Sequence, residues 1–187
     1  MLFTVFPSPL RPLPRFRRPC GVAPLALMLL ALWLLPRVGA GNAPFPFTEN
    51  FEGALGDYWT LGDGWGASSE SAHSGGSSLT DSPGDTYQNS QDRWATLAVD
   101  LTTASRPYLS FWHRYELENN RDFGSIEYSL DNGATWDRRF VITGSGGTNW
   151  HNVRVNISFL KGKVALLRFR LTTDAQNRYD GWYIDDV

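Results

Sequence analysis

The sequence predicts an all-β fold, an antiparallel β-sandwich. Three observations predict it. After position 40 no stretch of eleven or more residues carries apolar side chains at spacings of three and four. Short runs with alternating apolar and polar residues recur instead. Gly, Asn, Asp, Ser and Pro separate them, giving about ten or eleven candidate strands at close spacing.

The first forty residues are of another kind. They hold Arg11, Arg15, Arg17, Arg18 and Arg37 and no acid. The run Gly21–Pro36 is almost wholly apolar, and Val38-Gly39-Ala40 supplies small residues where a signal peptidase reads. Sixteen apolar residues fall short of the roughly twenty that a membrane span needs. Residues 1–40 are therefore expected to be a secretory signal cleaved after Ala40, and retention as an anchor is the alternative. Residues 41–46 read as a Pro-containing lead-in and 47–187 as one domain. Export predicts a secreted, extracellular or cell-surface protein.

Beyond Ala40, twelve Lys and Arg face nineteen Asp and Glu, a net charge of −7. That balance argues against nucleic-acid binding and suits a cation such as calcium. The single cysteine, Cys20, lies in the signal, so no disulfide is expected and the core must hold the domain.

The strands follow in order. Weaker candidates are Pro46–Phe51, Tyr58–Leu61, Trp65–Ser68, Ser77–Asp81 and Trp94–Leu101. Tyr108–Leu117 puts Leu109, Phe111, His113, Tyr115 and Leu117 on one face. Ser125–Leu130 turns Ile126, Tyr128 and Leu130 inward and Ser125, Glu127 and Ser129 outward. Trp136–Ile142 comes next. His151–Ile157 turns Val153, Val155 and Ile157 inward. Val164–Leu171 buries Leu167, Phe169 and Leu171 and turns Arg168 and Arg170 out. Gly181–Val187 closes the chain. A strand so apolar at the end predicts either a fragment or a chain that stops on its last core strand. Long polar loops are expected at Asp81–Arg93, Glu118–Gly124 and Gly144–Asn149.

Catalytic signals are missing. His73, His113 and His151 are not at metal spacing, and His-Glu-x-x-His and Gly-x-Ser-x-Gly are absent. His113 reads as a satisfied core residue. Ser129–Trp136 fits Ser-x-Asp-x-Gly-x-Thr-Trp, the Asp-box pattern of sialidases. Its physics is local: Asp131 accepts turn amides, Gly133 supplies positive φ and Trp136 packs beneath. With one box and no arginine triad, a self-stabilised hairpin without chemistry is expected. Seven of eight tryptophans follow the signal. Most read as core, and Trp112 is the best candidate for an exposed sugar-stacking ring. Asn156-Ile157-Ser158 is an N-glycosylation triplet, relevant only on a eukaryotic secretory path.

The carboxylates are the sharpest feature. Glu52 closes the first candidate strand, Asp81 follows the fourth, and Asp185 and Asp186 stand in the last. First and last strands of a sandwich are commonly neighbours, and a hard cation with six to eight oxygens can gather such groups. Hydrogen-bonded turn carboxylates are the alternative. In a regular strand only one of Asp185 and Asp186 points inward. Asp186 is favoured because it shares a face with Trp182 and Ile184.

Together Phe51-Glu52, Ala72–Gly84, Leu109–Tyr115, the Ser129–Trp136 pattern and Tyr179–Val187 resemble a jelly-roll accessory domain of secreted bacterial proteins. That domain is found behind immune-inhibitor-A-type metalloproteases and in subtilase-like and adhesin-like exoproteins. It is similar in plan to MAM domains, whose final strand carries a comparable motif, and to reelin subrepeats. The resemblance covers nearly all of 47–187. It implies a jelly roll with one structural Ca2+, liganded by Glu52, Asp81 and one or both of Asp185 and Asp186. It carries no zinc catalytic domain onto this chain. The function it implies is a secreted, non-catalytic, calcium-stabilised binding or accessory module of a larger extracellular protein. Its partner would be an extracellular protein or glycan. The alternatives are the accessory domain of a secreted zinc metalloprotease whose catalytic part lies elsewhere, and a glycan-binding module.

Overall fold

The computed structural model describes residues 41–56 and 58–187; the expected signal segment lies outside the described residues. The strands are β1 (Trp59–Leu61), β2 (Gly66–Ser68), β3 (Ser78–Thr80), β4 (Asp92–Asp100), β5 (Tyr108–Glu116), β6 (Phe123–Ser129), β7 (Asp137–Ile142), β8 (His151–Asn156), β9 (Val164–Thr172) and β10 (Gly181–Asp185). They form two five-stranded sheets, A in the order β1-β4-β9-β6-β7 and B in the order β2-β3-β10-β5-β8. Every pairing between these strands is antiparallel. The chain passes repeatedly from one sheet to the other, in the jelly-roll manner.

Register follows from alternation. In sheet A, β4 faces β9 with Leu97 opposite Leu167 and Ala95 opposite Phe169, so the small and large residues of the inner face interlock. In sheet B, Ile184 of β10 lies opposite His113 of β5. The two inner faces meet through rings. Phe111 and Phe169 stand edge to face at 5.2 Å, and Phe169 and Trp182 at 5.6 Å. Such pairs add about 0.5–1.5 kcal/mol beyond their buried area. His113 is buried here as a core residue: its Nδ1 accepts the Trp182 indole N–H at 3.2 Å. Burial, then the nearby His151, lower its pKa to about 4, so it is neutral at physiological pH.

Three details differ from the sequence reading. Pro46–Phe51 forms no strand; Phe51 has φ 57° and is buried, and the segment pairs only where Glu49 exchanges two backbone hydrogen bonds with Val187. Leu130, expected inside, is 47% exposed, because the chain leaves β6 at Ser129 to enter a turn. Ser125, Glu127 and Ser129 do point away from the core, yet all three are buried. Side chains from neighbouring strands and the next turn cover the outer face of sheet A.

β10 is buried along its whole length. One face meets the core. On the other, the loop at 70–77 lies over sheet B: Ser78 Oγ donates to Ser71 O at 2.6 Å, and the His73 ring stacks on Trp112 at 3.9 Å and 11°. Trp112 is therefore partly covered by His73. Among the described residues, no helix is long and apolar enough to cross a membrane.

Candidate binding site

The four expected carboxylates divide into two places. Glu52 Oε1 accepts the amides of Gly76 and Ser77 at 2.9 and 2.8 Å. Asp185 Oδ2 accepts those of His73 and Ser74 at 2.8 and 3.1 Å, and Oδ1 accepts the Asp186 amide. Asp186 accepts from Ser74 Oγ at 2.7 Å and lies 2.6 Å from His73 Nδ1. These three carboxylates hold one loop, 73–77. Gly75 sits at φ 61° with Glu52 against it, so an added Cβ would collide with that carboxylate.

Asp81 is elsewhere. Thr80 pairs with Tyr183 and Leu79 with Ile184, so Asp81 falls beside Trp182, three positions along β10 from Asp185. Its Oδ1 accepts the Trp182 amide at 2.7 Å, while Oδ2 is buried without a partner. Burial, opposed only in part by that hydrogen bond, pushes its pKa from 3.8 to about 7.

The two last carboxylates part at the end of β10: Asp185 shares the face of Tyr183 and lies beneath the 70–77 loop, away from the core face of Trp182 and Ile184. Asp185 is fully buried and Asp186 is not, because Asp186 has φ 49° and leaves the strand's alternation. Burial raises the Asp185 pKa, and the amides of Ser74, His73 and Asp186 work against that rise.

Another acidic group escaped the sequence reading. Glu118, Asp122 and Asp174 bring one carboxylate oxygen each within 4.8 Å of one another. Asp122 accepts from Tyr87 Oη at 2.6 Å and from the Asp174 amide at 2.8 Å. The β6–β9 register, Phe123 opposite Thr172, brings residues 122 and 174 together, and no local pattern announces it.

The outer face of sheet A carries a network of charged side chains beside a small cleft. Glu127 on β6 accepts Arg168 Nε at 2.8 Å and Nη2 at 2.5 Å, both on β9. Arg170 donates to both oxygens of Asp92 at 2.7 Å and reaches Glu127 at 3.3 Å. A ladder of alternating charge thus crosses β4, β9 and β6. Burial pushes the Glu127 pKa upward, but Arg168 outweighs it and the net shift is downward. Glu127 therefore stays a carboxylate and fixes Arg168.

Trp94 and Trp136 line a cleft of 240 Å³ with Thr60, Thr96, Leu166 and Arg168. The Arg168 guanidinium lies 3.9 Å over the Trp136 ring and 5.7 Å from that of Trp94. The turn after β6 places Trp136. Asp131 Oδ1 accepts Ser129 Oγ and the Thr135 amide at 2.7 and 2.8 Å, and Oδ2 accepts Thr135 Oγ1 at 2.5 Å. The Trp136 indole N–H then donates to Gly133 O at 3.0 Å. Sequence reasoning singled out Trp112 and missed this pair. The signal was present: Trp94 and Thr96 share a face of β4, and Arg168 and Arg170 share the matching face of β9.

No family model matches the chain. It is 29% identical to bacillopeptidase F of Bacillus subtilis (strain 168) over 80 residues, 43% of this chain and 6% of that protein. The chain thus spans a small fraction of its curated relative. Among solved structures it is similar to a glycoside hydrolase family 43 arabinoxylan arabinofuranohydrolase from Bacillus subtilis in complex with cellotetraose. That match has 15% identity and a TM-score of 0.51, and covers 78% of this chain and 27% of the other. It is also similar to the CBM22-1 xylan-binding domain of Paenibacillus barcinonensis Xyn10C, at 21% identity and a TM-score of 0.45, covering 79% and 98%. What the chain shares with the arabinofuranohydrolase is the fold, an antiparallel β-sandwich.

Proposed function

We propose that this is an extracellular, non-catalytic binding module, and that its ligand is a neutral glycan held in the cleft on sheet A. The observation that carries the reading is the pairing of Trp94 and Trp136 with an Arg168 already fixed by Glu127. Indole surface matches the apolar C–H face of a sugar ring, and a planar charged group bonds its hydroxyls. Preorganised groups lose little freedom on binding. The cleft is smaller than the roughly 300–1,000 Å³ of drug-sized sites, which suits one sugar unit of a chain running across an open face.

Cellotetraose in the arabinofuranohydrolase and xylan for the Paenibacillus domain are ligands of those proteins, and they supply the first probes. Affinity electrophoresis in gels containing xylan or β-glucan should retard the protein. Trp136→Ala should abolish retardation while far-UV circular dichroism stays unchanged. Absence of retardation in every neutral polysaccharide, or retardation indifferent to both Trp94→Ala and Trp136→Ala, would sink the reading.

Calcium belongs to the same proposal as a structural ion. Glu52, Asp185 and Asp186 all hold the 73–77 loop, and a hard cation would have to draw their oxygens together around it. Asp81 stands apart, beside Trp182, and has no part in it. A cation that binds only the folded state adds about 2.7 kcal/mol at a hundredfold excess over Kd. Melting temperature should rise with calcium and fall with chelator, and Asp185→Asn should erase that response. A melt indifferent to both in the parent protein removes the ion.

The bacillopeptidase F alignment favours one addition: the module accompanies a larger exported peptidase as an accessory part. That is compatible with glycan binding, which would hold such a protein at a polysaccharide surface.

A further inference from the structure

The opposite sheet carries a second, differently charged surface. At its β5–β8 edge, Tyr108 lies opposite Asn156 and Ser110 opposite Arg154. Tyr108 is 50% exposed. Arg106 and Pro107, just before β5, and Ser158, just after β8, complete a depression of 490 Å³. The Arg154 guanidinium sits 3.5 Å from the centroid of the Tyr108 ring. Among the described residues, neither Arg106 nor Arg154 is in an ion pair. Asp186 lines the adjoining cavity with Tyr108 and Ser110, but Ser74 and His73 engage its two oxygens.

Other arginines also lack an ion pair among the described residues; what sets Arg106 and Arg154 apart is that both line one depression. A guanidinium stacked on a ring is held in place by the contact, and its edge N–H groups remain available for an oxyanion. Asn156 Oδ1 accepts the Ser158 amide at 2.9 Å, which fixes a further polar side chain at the rim. At 0.15 M salt the domain's more distant carboxylates are screened beyond about 8 Å, so the local pair sets the potential a ligand meets.

We propose that this depression binds an acidic polysaccharide, with a uronate carboxylate or a sulfate ester bridging Arg106 and Arg154. The half-exposed Tyr108 ring and the Asn156 amide suit a sugar ring attached to that anion, which favours a glycan over a bare anionic surface. This goes beyond the neutral-glycan reading and does not depend on it, because the two surfaces lie on different sheets and share no residue.

The test is titration calorimetry of the full chain with polygalacturonate and with dextran sulfate, at low and at physiological salt. Neutral xylan, anionic lipid vesicles and duplex DNA serve as comparisons. Binding to either acidic polysaccharide is expected, weakening as salt rises, and the stronger of the two identifies carboxylate or sulfate as the anion. Each of Arg106→Gln and Arg154→Gln should weaken it about tenfold or more. Trp136→Ala in the sheet A cleft should leave it unchanged, so failure of the neutral-glycan reading is seen separately. Indifference to both polymers at low salt overturns the proposal. So does binding that survives the Arg106→Gln/Arg154→Gln double variant with its melting temperature preserved. Binding that is stronger to vesicles or DNA than to either polysaccharide overturns it as well.

Discussion

Asp81 gives the most quantitative expectation. Its carboxyl is 4% exposed, one oxygen accepts the Trp182 amide and the other has no partner. Asp180 adds a like charge nearby. The folded state therefore holds the Asp81 proton up to about pH 7, against 3.8 for the free group. Because the folded pKa is raised, this group's contribution is most favourable below pH 4 and is lost as pH rises through about 7. The gap of roughly three pKa units corresponds to about 4 kcal/mol. Asp81→Asn keeps an acceptor for Trp182 and removes the titration. Urea unfolding of parent and variant at pH 4 and pH 7.5 isolates the effect, because other groups titrate alike in both. With m about 2 kcal/mol/M, the variant's midpoint should gain about 2 M on the parent between those pH values. Calcium should not change that gap, since Asp81 stands apart from the loop that Glu52 and Asp185 hold. A gap that is constant from pH 4 to 7.5, or that shifts in the parent's favour, would refute the reasoning. A gap closed by calcium would return Asp81 to the cation.

Two further outcomes are expected. Gly124→Ala should lower the melting temperature, because a Cβ there would stand 2.7 Å from Ile142 Cγ1 and 2.8 Å from Trp182 Cε3; overpacking of this kind costs about 1–3 kcal/mol. The double variant with Ile142→Ala, which removes both Ile142 contact atoms, should lose less than the sum of the two single losses. Asp131→Ala should speed hydrogen exchange at the Thr135 amide and loosen Trp136. The Thr135 hydroxyl and amide and the Ser129 hydroxyl hold the Asp131 pKa down to about 2, so its support is present at neutral pH and lost only as pH falls through that value. Unchanged exchange at Thr135 would show that Asp131 does not hold the turn.

The strands were legible because each carries its own period. Leu167, Phe169 and Leu171 announce one face of β9, and the partner strand follows from the same rule. What escaped has non-local causes. Alternation places Asp186 with Trp182, but a left-handed φ at Asp186 ends the pleat, and nothing in a two-residue carboxylate pair marks where that happens. Alternation also turned Glu127 and Arg168 outward correctly, yet not toward solvent. Their burial depends on Trp136 arriving from a turn nine residues after Glu127. Glu118, Asp122 and Asp174 meet only after β6 and β9 have found their register.

The placement of the 70–77 loop decides which surfaces remain for ligands. It covers the centre of sheet B, where Ser71, His73 and Ser74 engage Ser78, Trp112 and the carboxylates ending β10. The β5–β8 edge of that sheet stays open, with the Tyr108–Arg154 stack. Among the described residues, sheet A is overlaid by its own outward side chains and the turn after β6. Its outer groups neutralise one another in the Asp92–Arg170–Glu127–Arg168 ladder, so the cleft beside them presents aromatic and hydrogen-bonding surface with little net field. The two open surfaces thus differ in kind, one charge-balanced and one cationic. Polysaccharides that present neutral and acidic units together could engage both only by lying around the edge of the sandwich. Engagement of two sites by one chain raises avidity without any new contact, and only when the spacing permits it. A mixed polymer retained more strongly than either pure polymer, with the excess lost in Trp136→Ala and in Arg154→Gln alike, would be the signature of that geometry.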